Sequence, residues 1–159
     1  MRSNDAVGVL NDAVPTGEQP VELAIELDAR APRLARGLVM RALDGVPSAI
    51  VERAELIVSE LVTNSLRHSD AAPGAQVTVR LSTQRDRCWI EVEDPGGGGV
   101  ITLRAPDLLN GGGMGLNLVE ALSERWGVAR GAHGRSCVWA ELAYAGLTRP
   151  ATQQGREVP

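Results

Sequence analysis

The sequence predicts an α+β fold, a two-layer α/β sandwich in which three helices cover one face of a mixed, mostly antiparallel sheet. The predicted elements follow the order β-α-α-β-β-loop-α-β-β, and short hairpins join neighbouring strands. The 159-residue length is that of one domain. Strands joined by short hairpins pair in the antiparallel direction, so the pattern does not fit a doubly wound parallel sheet.

The N-terminal half of the pattern contains one strand and two helices. Val21–Leu27 alternates apolar and acidic residues, which is the period of a half-buried strand. Ala31–Leu43 has the spacing of an amphipathic helix and ends before a Gly and a Pro. The longest helical pattern runs from Ser48 to His68. Its core side is predicted to consist of Ala54, Val58, Leu61, Val62 and Ser65.

The C-terminal half adds four strands and one helix. Gln76–Ser82 and Cys88–Glu93 alternate in polarity and are predicted to form a hairpin. Helical spacing returns in Met114–Arg125. Trp126–Arg130 and Ser136–Leu142 are predicted to be a final pair of strands.

The ends of the chain differ in composition from its centre. We predict a flexible arm at residues 1–18, a folded domain at residues 19–146 and a disordered tail at residues 147–159, because both ends are polar and lack periodicity.

Composition excludes several classes of function. The net charge is −4 and no dense basic patch is present, which argues against direct binding of nucleic acid. No apolar stretch approaches the ~20 residues of a membrane span. Cys88 and Cys137 lack metal-ligand spacing and are interpreted as reduced thiols of a cytoplasmic protein.

All 16 basic residues are Arg, and the chain contains no Lys. A P-loop and a eukaryotic-type kinase both need a lysine at the phosphates, so their standard forms are excluded. Phosphate charge would have to be met by backbone N–H groups, a metal ion or Arg.

The long helix carries polar residues away from its core side. They are Glu60, Asn64, Arg67 and His68, within about 100° of arc. Such a face is either solvated or the wall of a wet pocket, and the neighbouring Leu56 and Ile57 favour the pocket. A carboxylate there could accept a proton, an amide oxygen could bind magnesium, and Arg67 could neutralise phosphate.

Two glycine-rich segments follow. Asp94–Gly99 comes directly after a strand, where a carboxylate could accept a hydrogen bond from an exocyclic amine. Gly111–Leu116 leads into a helix, and a helix N-terminus can bind an anion. The residues between them, Val100–Gly111, are a candidate lid. The Ser136 hydroxyl could contact a nucleotide. Each segment taken alone could equally be an ordinary loop or turn.

In this order the segments resemble the N, G1, G2 and G3 boxes of the GHKL (Bergerat-fold, histidine kinase-like) ATPases. The matching residues are Glu60-x-x-x-Asn64, Asp94-x-Gly96-x-Gly98, Gly113-x-Gly115-Leu116 and Gly134-x-Ser136. Within this superfamily Ser59–Ser69, Gly113–Val128 and Val138–Leu142 resemble the small anti-sigma-factor serine kinases abundant in actinobacteria. The resemblance covers about residues 20–145.

The resemblance implies ATP and Mg²⁺ as cofactors and assigns roles to residues. Asn64 would bind magnesium, Glu60 would be the general base toward a Ser hydroxyl, and Asp94 would accept from the adenine amine. Gly96, Gly98, Gly113, Gly115 and Leu116 would shape the lid and the phosphate turn, with Met114 between the box glycines.

The same resemblance implies partners: a sigma factor that is held inactive, and an anti-anti-sigma (STAS-domain) protein that is phosphorylated on Ser. Kinase members are commonly homodimers. They also have an Arg just before the second glycine box, where this chain has Gly111 and Gly112. Arg104 is the only Arg in the lid. Two functions therefore stay open: a serine protein kinase, and a non-catalytic module that binds a regulator under the control of ATP.

Overall fold

A computed structural model describes residues 20–68, 72–95, 114–130 and 135–144. These residues form five strands and three helices in the predicted order: β1 (Val21–Glu26), α1 (Ala31–Ala42), α2 (Ser48–His68), β2 (Gln76–Gln84), β3 (Arg87–Asp94), α3 (Met114–Leu122), β4 (Arg125–Arg130) and β5 (Ser136–Ala143). The α+β class is confirmed. The predicted arm and tail lie outside the described residues.

The five strands form one sheet in the order β1-β2-β3-β5-β4, and every pairing among the described strands is antiparallel. A two-residue turn joins β2 to β3, and its first residue, Arg85, has a φ of 51° in the left-handed region. β5 lies between β3 and β4, so the last strand of the domain is an interior strand. This order puts Asp94 of β3 directly opposite Ser136 of β5.

The helices and one face of the sheet enclose an aliphatic core. The core side predicted for α2 is buried: it consists of Ala54, Val58, Leu61, Val62 and Ser65, and none of them is more than 8% exposed. From the sheet, alternate residues of β2, β3 and β5 join the same cluster, including Val79, Ile90 and Ala140. An alternation with period two on the strands and a 3.6-residue stripe on the helix therefore meet in one core.

The two apolar neighbours of the polar face of α2 do not form a pocket wall as predicted. Ile57 is fully buried in the core, whereas Leu56 is 50% exposed. The reason is that the core stripe of this helix is wider than predicted and reaches Ile57, because α1 also packs against α2.

Helix α3 ends at Leu122, three residues before the predicted Arg125. The backbone N–H and the hydroxyl of Ser123 both donate to the carbonyl of Val119, at 3.0 and 2.6 Å. The N–H of Glu124 then donates to the carbonyl of Glu141 at 2.8 Å. The chain is therefore drawn into the sheet two residues after the helix ends, and Arg125 becomes the first residue of β4.

The second face of the sheet, opposite the core, is aromatic and ionic. Trp89 and Trp139 lie with ring centroids 5.1 Å apart, and the Arg125 guanidinium lies 5.7 Å from the centre of the Trp89 ring. Glu141 is fully buried and accepts hydrogen bonds from Arg125 and Arg87. Buried carboxylates need such partners, because an unpaired buried charge is strongly destabilising.

The two cysteines lie on opposite faces of the sheet. Cys88 belongs to the core cluster, whereas Cys137 is the register partner of Glu93 on the second face; both are free and buried. Among the helices that the structure describes, none is long and apolar enough to cross a membrane.

Candidate functional site

Helix α2 presents Glu60 and Asn64, one turn apart, toward the N-terminus of α3. Both side chains are partly exposed, while their neighbours Leu61 and Ser65 are buried. Burial of the core stripe fixes the rotation of the helix about its axis. The sequence spacing i, i+4 therefore places the carboxylate and the amide side by side on the flank that faces α3.

Gly115 in the first turn of α3 packs directly on these two side chains. A Cβ built on Gly115 would lie 2.7 Å from Asn64 Nδ2, 3.2 Å from Asn64 Oδ1 and 3.1 Å from Glu60 Oε2. No larger residue could occupy this position without displacing Asn64. The structure thus brings together residues of two predicted motifs that are about fifty positions apart in the sequence.

The first turn of α3 has the properties of an anion site. Met114 begins the helix, no acidic residue lies in the first turn, and the first N–H groups of a helix have no partner within it. The side chain of Leu116 belongs to the core cluster at 9% exposure and anchors this turn. Backbone N–H groups, one amide and one carboxylate therefore converge at the junction of α2 and α3.

Asp94 and Ser136, both predicted site residues, are Cα partners at the ends of β3 and β5. Arg130 at the end of β4 is also opposite Ser136. Because the chain reverses between α3 and β4, the N-terminus of α3 lies toward this same end of the sheet. The carboxylate predicted for base recognition and the turn predicted for phosphate binding are thus on one side of the molecule.

An ion network is formed by the residues that precede Asp94 and Ser136 in the sequence, together with Arg80. Arg135 donates to Glu93 at 2.7 Å, and Arg80 lies 3.4 Å from the same carboxylate. Burial would raise the pKa of Glu93, but hydrogen bonds from Arg135 and Arg80 outweigh it and the pKa is lowered. Sequence reasoning missed this network, although Glu93 and Arg135 each precede a predicted site residue.

Of the remaining predicted site residues, one is exposed and three lie outside the described residues. Arg67 is exposed near the C-terminal end of α2. Gly96, Gly98 and Gly113 lie outside the described residues, as does the predicted lid, including Arg104. The proposed roles of the lid stay predictions, as do those of Arg67, Gly96, Gly98 and Gly113.

The oxygen atoms present fit a magnesium ion that is shared with phosphates. Asn64 and Glu60 supply hard oxygen atoms next to a helix N-terminus, and Mg²⁺ commonly takes only one or two protein ligands besides water and phosphate oxygens. Within the described residues there is no group of three His, Cys, Asp or Glu that could hold a metal alone. Asn64 and Glu60 would therefore bind such a metal together with water or phosphate oxygens.

Comparison with known proteins agrees with this geometry. A family model described as the histidine kinase-like ATPase domain matches residues 21–141, from the first residue of β1 to the buried Glu141 of β5. None of the curated proteins compared with the chain matches it. The matched range contains every described element of the sheet and the helices except the last two residues of β5. The chain belongs to the histidine kinase-like ATPase domain family.

Proposed function

We propose that this protein binds ATP with Mg²⁺ at the end of the sheet where α2, α3, β3 and β5 meet. The observation that carries the proposal is the packing of Gly115 on Asn64 and Glu60, because it joins an anion-binding helix N-terminus to a magnesium-type ligand. In this arrangement the Asn64 amide oxygen would bind the metal, N–H groups of α3 would bind phosphate oxygens, and Asp94 would accept from the adenine amine.

Thermal unfolding with and without Mg·ATP tests nucleotide binding. A ligand at 100 times its dissociation constant adds about 2.7 kcal/mol to the free energy of unfolding. We expect a clear rise in Tm for the wild type and little or none for Asn64→Ala or Asp94→Asn. A wild-type protein whose Tm does not respond to Mg·ATP would contradict the proposal.

We further propose that the bound nucleotide serves a serine protein kinase of the anti-sigma type, whose substrate is a STAS-type anti-anti-sigma protein. The support is Glu60, a partly exposed carboxylate beside the Asn64 amide, within reach of an incoming hydroxyl group. It would take the proton of the substrate Ser as the Ser oxygen bonds to the γ-phosphorus of ATP and ADP leaves with the bridging oxygen. A sigma factor as second partner, a homodimer and a cytoplasmic location belong to the same proposal.

Transfer of label from ATP to a candidate STAS-domain protein tests the kinase. We expect transfer by the wild type and a loss of at least about 100-fold in Glu60→Gln, the range of general base catalysis. Equal transfer by the wild type and Glu60→Gln would contradict the role of Glu60 as the general base.

The alternative is an ATP-gated binding module without turnover, which is favoured by Gly111 and Gly112 where kinase members have an Arg. An Arg directed at a transferring phosphate contributes roughly 10³-fold or more to the rate. This alternative predicts that partner affinity depends on nucleotide and is unchanged in Glu60→Gln. Partner affinity that ignores ATP would contradict it.

A further inference from the structure

We infer that Arg53 is a positioning residue. By binding the C-terminal end of α3, it holds the N-terminal end of that helix, which would bind phosphate, in place beside Asn64. The inference rests on the proposed ATP binding and adds a residue that lies in none of the motifs. Arg53 is on α2, seven positions before Glu60.

Arg53 holds the last carbonyl of α3. Its Nε donates to the Leu122 oxygen at 3.0 Å, and its Nη2 donates to the same oxygen. The two residues are 69 positions apart in the sequence and the contact is partly buried. A guanidinium that binds one carbonyl through two N–H groups is fixed in orientation as well as in distance.

The end of α3 has no cation of its own. A helix C-terminus leaves carbonyl groups without partners and favours a positive charge nearby, yet the last turn of α3 contains no basic residue. Ser123 satisfies the carbonyl of Val119, and Arg53 from the neighbouring helix satisfies that of Leu122. The charge that stabilises this end of α3 therefore comes from α2.

The two contacts between α2 and α3 are matched in length. From Arg53 to Glu60 is seven residues along α2, and from Gly115 to Leu122 is seven residues along α3. At about 1.5 Å per residue each span is about 10 Å, and the two helices run in opposite directions. Arg53–Leu122 at one end and Gly115 on Glu60 and Asn64 at the other therefore fix α3 along α2 at two points.

The contacts that hold α3 include apolar packing, the hydrogen bond from Glu124 to Glu141 just beyond its end, and the Arg53 hydrogen bonds. The helix has nine residues, of which Leu116 and Val119 are buried and Leu122 is partly buried against the core. The hydrophobic effect is non-directional, whereas a hydrogen bond to one carbonyl depends on both distance and angle. Loss of the Arg53 contact would let α3 move relative to Asn64, and the phosphate-binding N–H groups would lose their registry with the metal ligand.

The test compares ligands with and without phosphates. Calorimetry measures the affinity for Mg·ATP and for adenosine in the wild type, Arg53→Met, Arg53→Lys and the control Arg33→Met, an exposed residue of α1. We expect Arg53→Met to weaken Mg·ATP about tenfold, about 1.4 kcal/mol, and adenosine by less than twofold. Arg53→Lys, which keeps the charge and one donor, should recover most of the affinity, and Arg33→Met should match the wild type.

Several outcomes would overturn the inference. Unchanged Mg·ATP affinity in a folded Arg53→Met would do so, and so would an equal loss for adenosine, since that indicates a general loss of structure. If the wild type binds neither ligand, the proposed function fails, and amide hydrogen exchange decides separately. Faster exchange at the helix-bonded amides of Val119 and Leu122 in Arg53→Met than in Arg33→Met supports the positioning role, and equal exchange contradicts it.

Discussion

Two glycines in this domain each lie where a Cβ atom would overlap a neighbour, and the two neighbours differ. At Gly115 the overlap is with Asn64 Nδ2 at 2.7 Å, the free end of a short side chain. At Gly127 on β4 it is with the indole of Trp139, at 2.8 Å for two ring carbons. Trp139 is the register partner of Gly127 and packs on Trp89.

The difference lies in what can move. An amide at the end of a side chain can rotate away at small cost in stability, but here it is the predicted metal ligand. An indole packed against a second indole cannot move without opening a gap, since protein interiors are close-packed. Two contacts of similar closeness therefore affect different properties. A larger residue at Gly115 would change the position of the predicted metal ligand, whereas one at Gly127 would lower the stability of the sheet.

The largest expected effect separates binding from stability at the first glycine. Gly115→Ala should weaken Mg·ATP by about 100-fold, about 2.7 kcal/mol, because the methyl group displaces Asn64. Its free energy of unfolding should change by less than about 1 kcal/mol, because Ala also favours the helix. Calorimetry and urea titration measure the two quantities. A variant that binds as the wild type does would remove Gly115 from the site.

The second glycine should show the reverse. Gly127→Ala should lower the free energy of unfolding by about 2 kcal/mol, the usual cost of overpacking, with Mg·ATP affinity within twofold of wild type. Adding Trp139→Leu should restore part of the loss, so that the double variant is more stable than the sum of the singles predicts. Strict additivity would show that the overlap with the indole is not the cause.

The next effect concerns pH on the second face of the sheet. Glu91 is 6% exposed, its Oε1 has no hydrogen-bond partner among the residues that the structure describes, and burial raises its pKa. The unfolded carboxyl ionises near 4.5, but the folded one resists, so stability falls as the pH rises above that value. We expect Glu91→Gln to match the wild type near pH 4 and to unfold at a higher Tm at pH 8.

Glu93, two residues further on, is the matched control with the opposite sign. Its pKa is lowered on balance, because the arginine hydrogen bonds outweigh burial. The stability it contributes is present above the unfolded pKa and is lost as the pH falls through the folded pKa. Glu93→Gln should therefore be less stable than the wild type at pH 7. The same sign of change in both variants at neutral pH would contradict these assignments.

The smallest effect compares the two faces through their thiols. Burial raises the pKa of Cys88 to about 12, and burial with nearby carboxylates raises that of Cys137 to about 12. Both should react with iodoacetamide at pH 8 only as fast as the protein unfolds. Labelling of Cys137 in a Cys88→Ala variant that is faster than the unfolding of that variant would show that the second face opens locally. Labelling at the rate of unfolding would show that the sheet opens as a unit.

Local patterns predicted much of the fold and supplied the candidate residues of the site. The bounds of α2 were predicted from Ser48 to His68, and the strands to within about two residues, because periodicity and helix breakers act over short distances. Glu60, Asn64, Asp94 and Gly115 were singled out because motif spacing is also local. Their pairing in space, Gly115 on Asn64 and Asp94 opposite Ser136, follows from these elements once the sheet is known.

What could not be predicted depends on partners distant in the sequence. In the sequence, Arg53 is one more polar residue on a helix. Only the structure shows that the carbonyl of Leu122, 69 positions later, accepts its hydrogen bonds. In the sequence, Gly127 is a residue of low strand propensity. The strand register shows that it lies opposite Trp139. The early end of α3 depends on the bond from Glu124 to Glu141. Register and loop closure decide these contacts, and neither leaves a periodic signal.

The interior position of β5 has a consequence for the order in which the protein can be made. β4 pairs with β5, and β3 has β5 as its second neighbour, so neither contact exists until residues 136–143 have been synthesised. A nascent chain that ends before Ser136 has the hairpin of β2 and β3 and the long helix, but it has no sheet partner for β4. Since domains generally fold as units during synthesis, the end of the sheet where Asp94 lies opposite Ser136 is completed last.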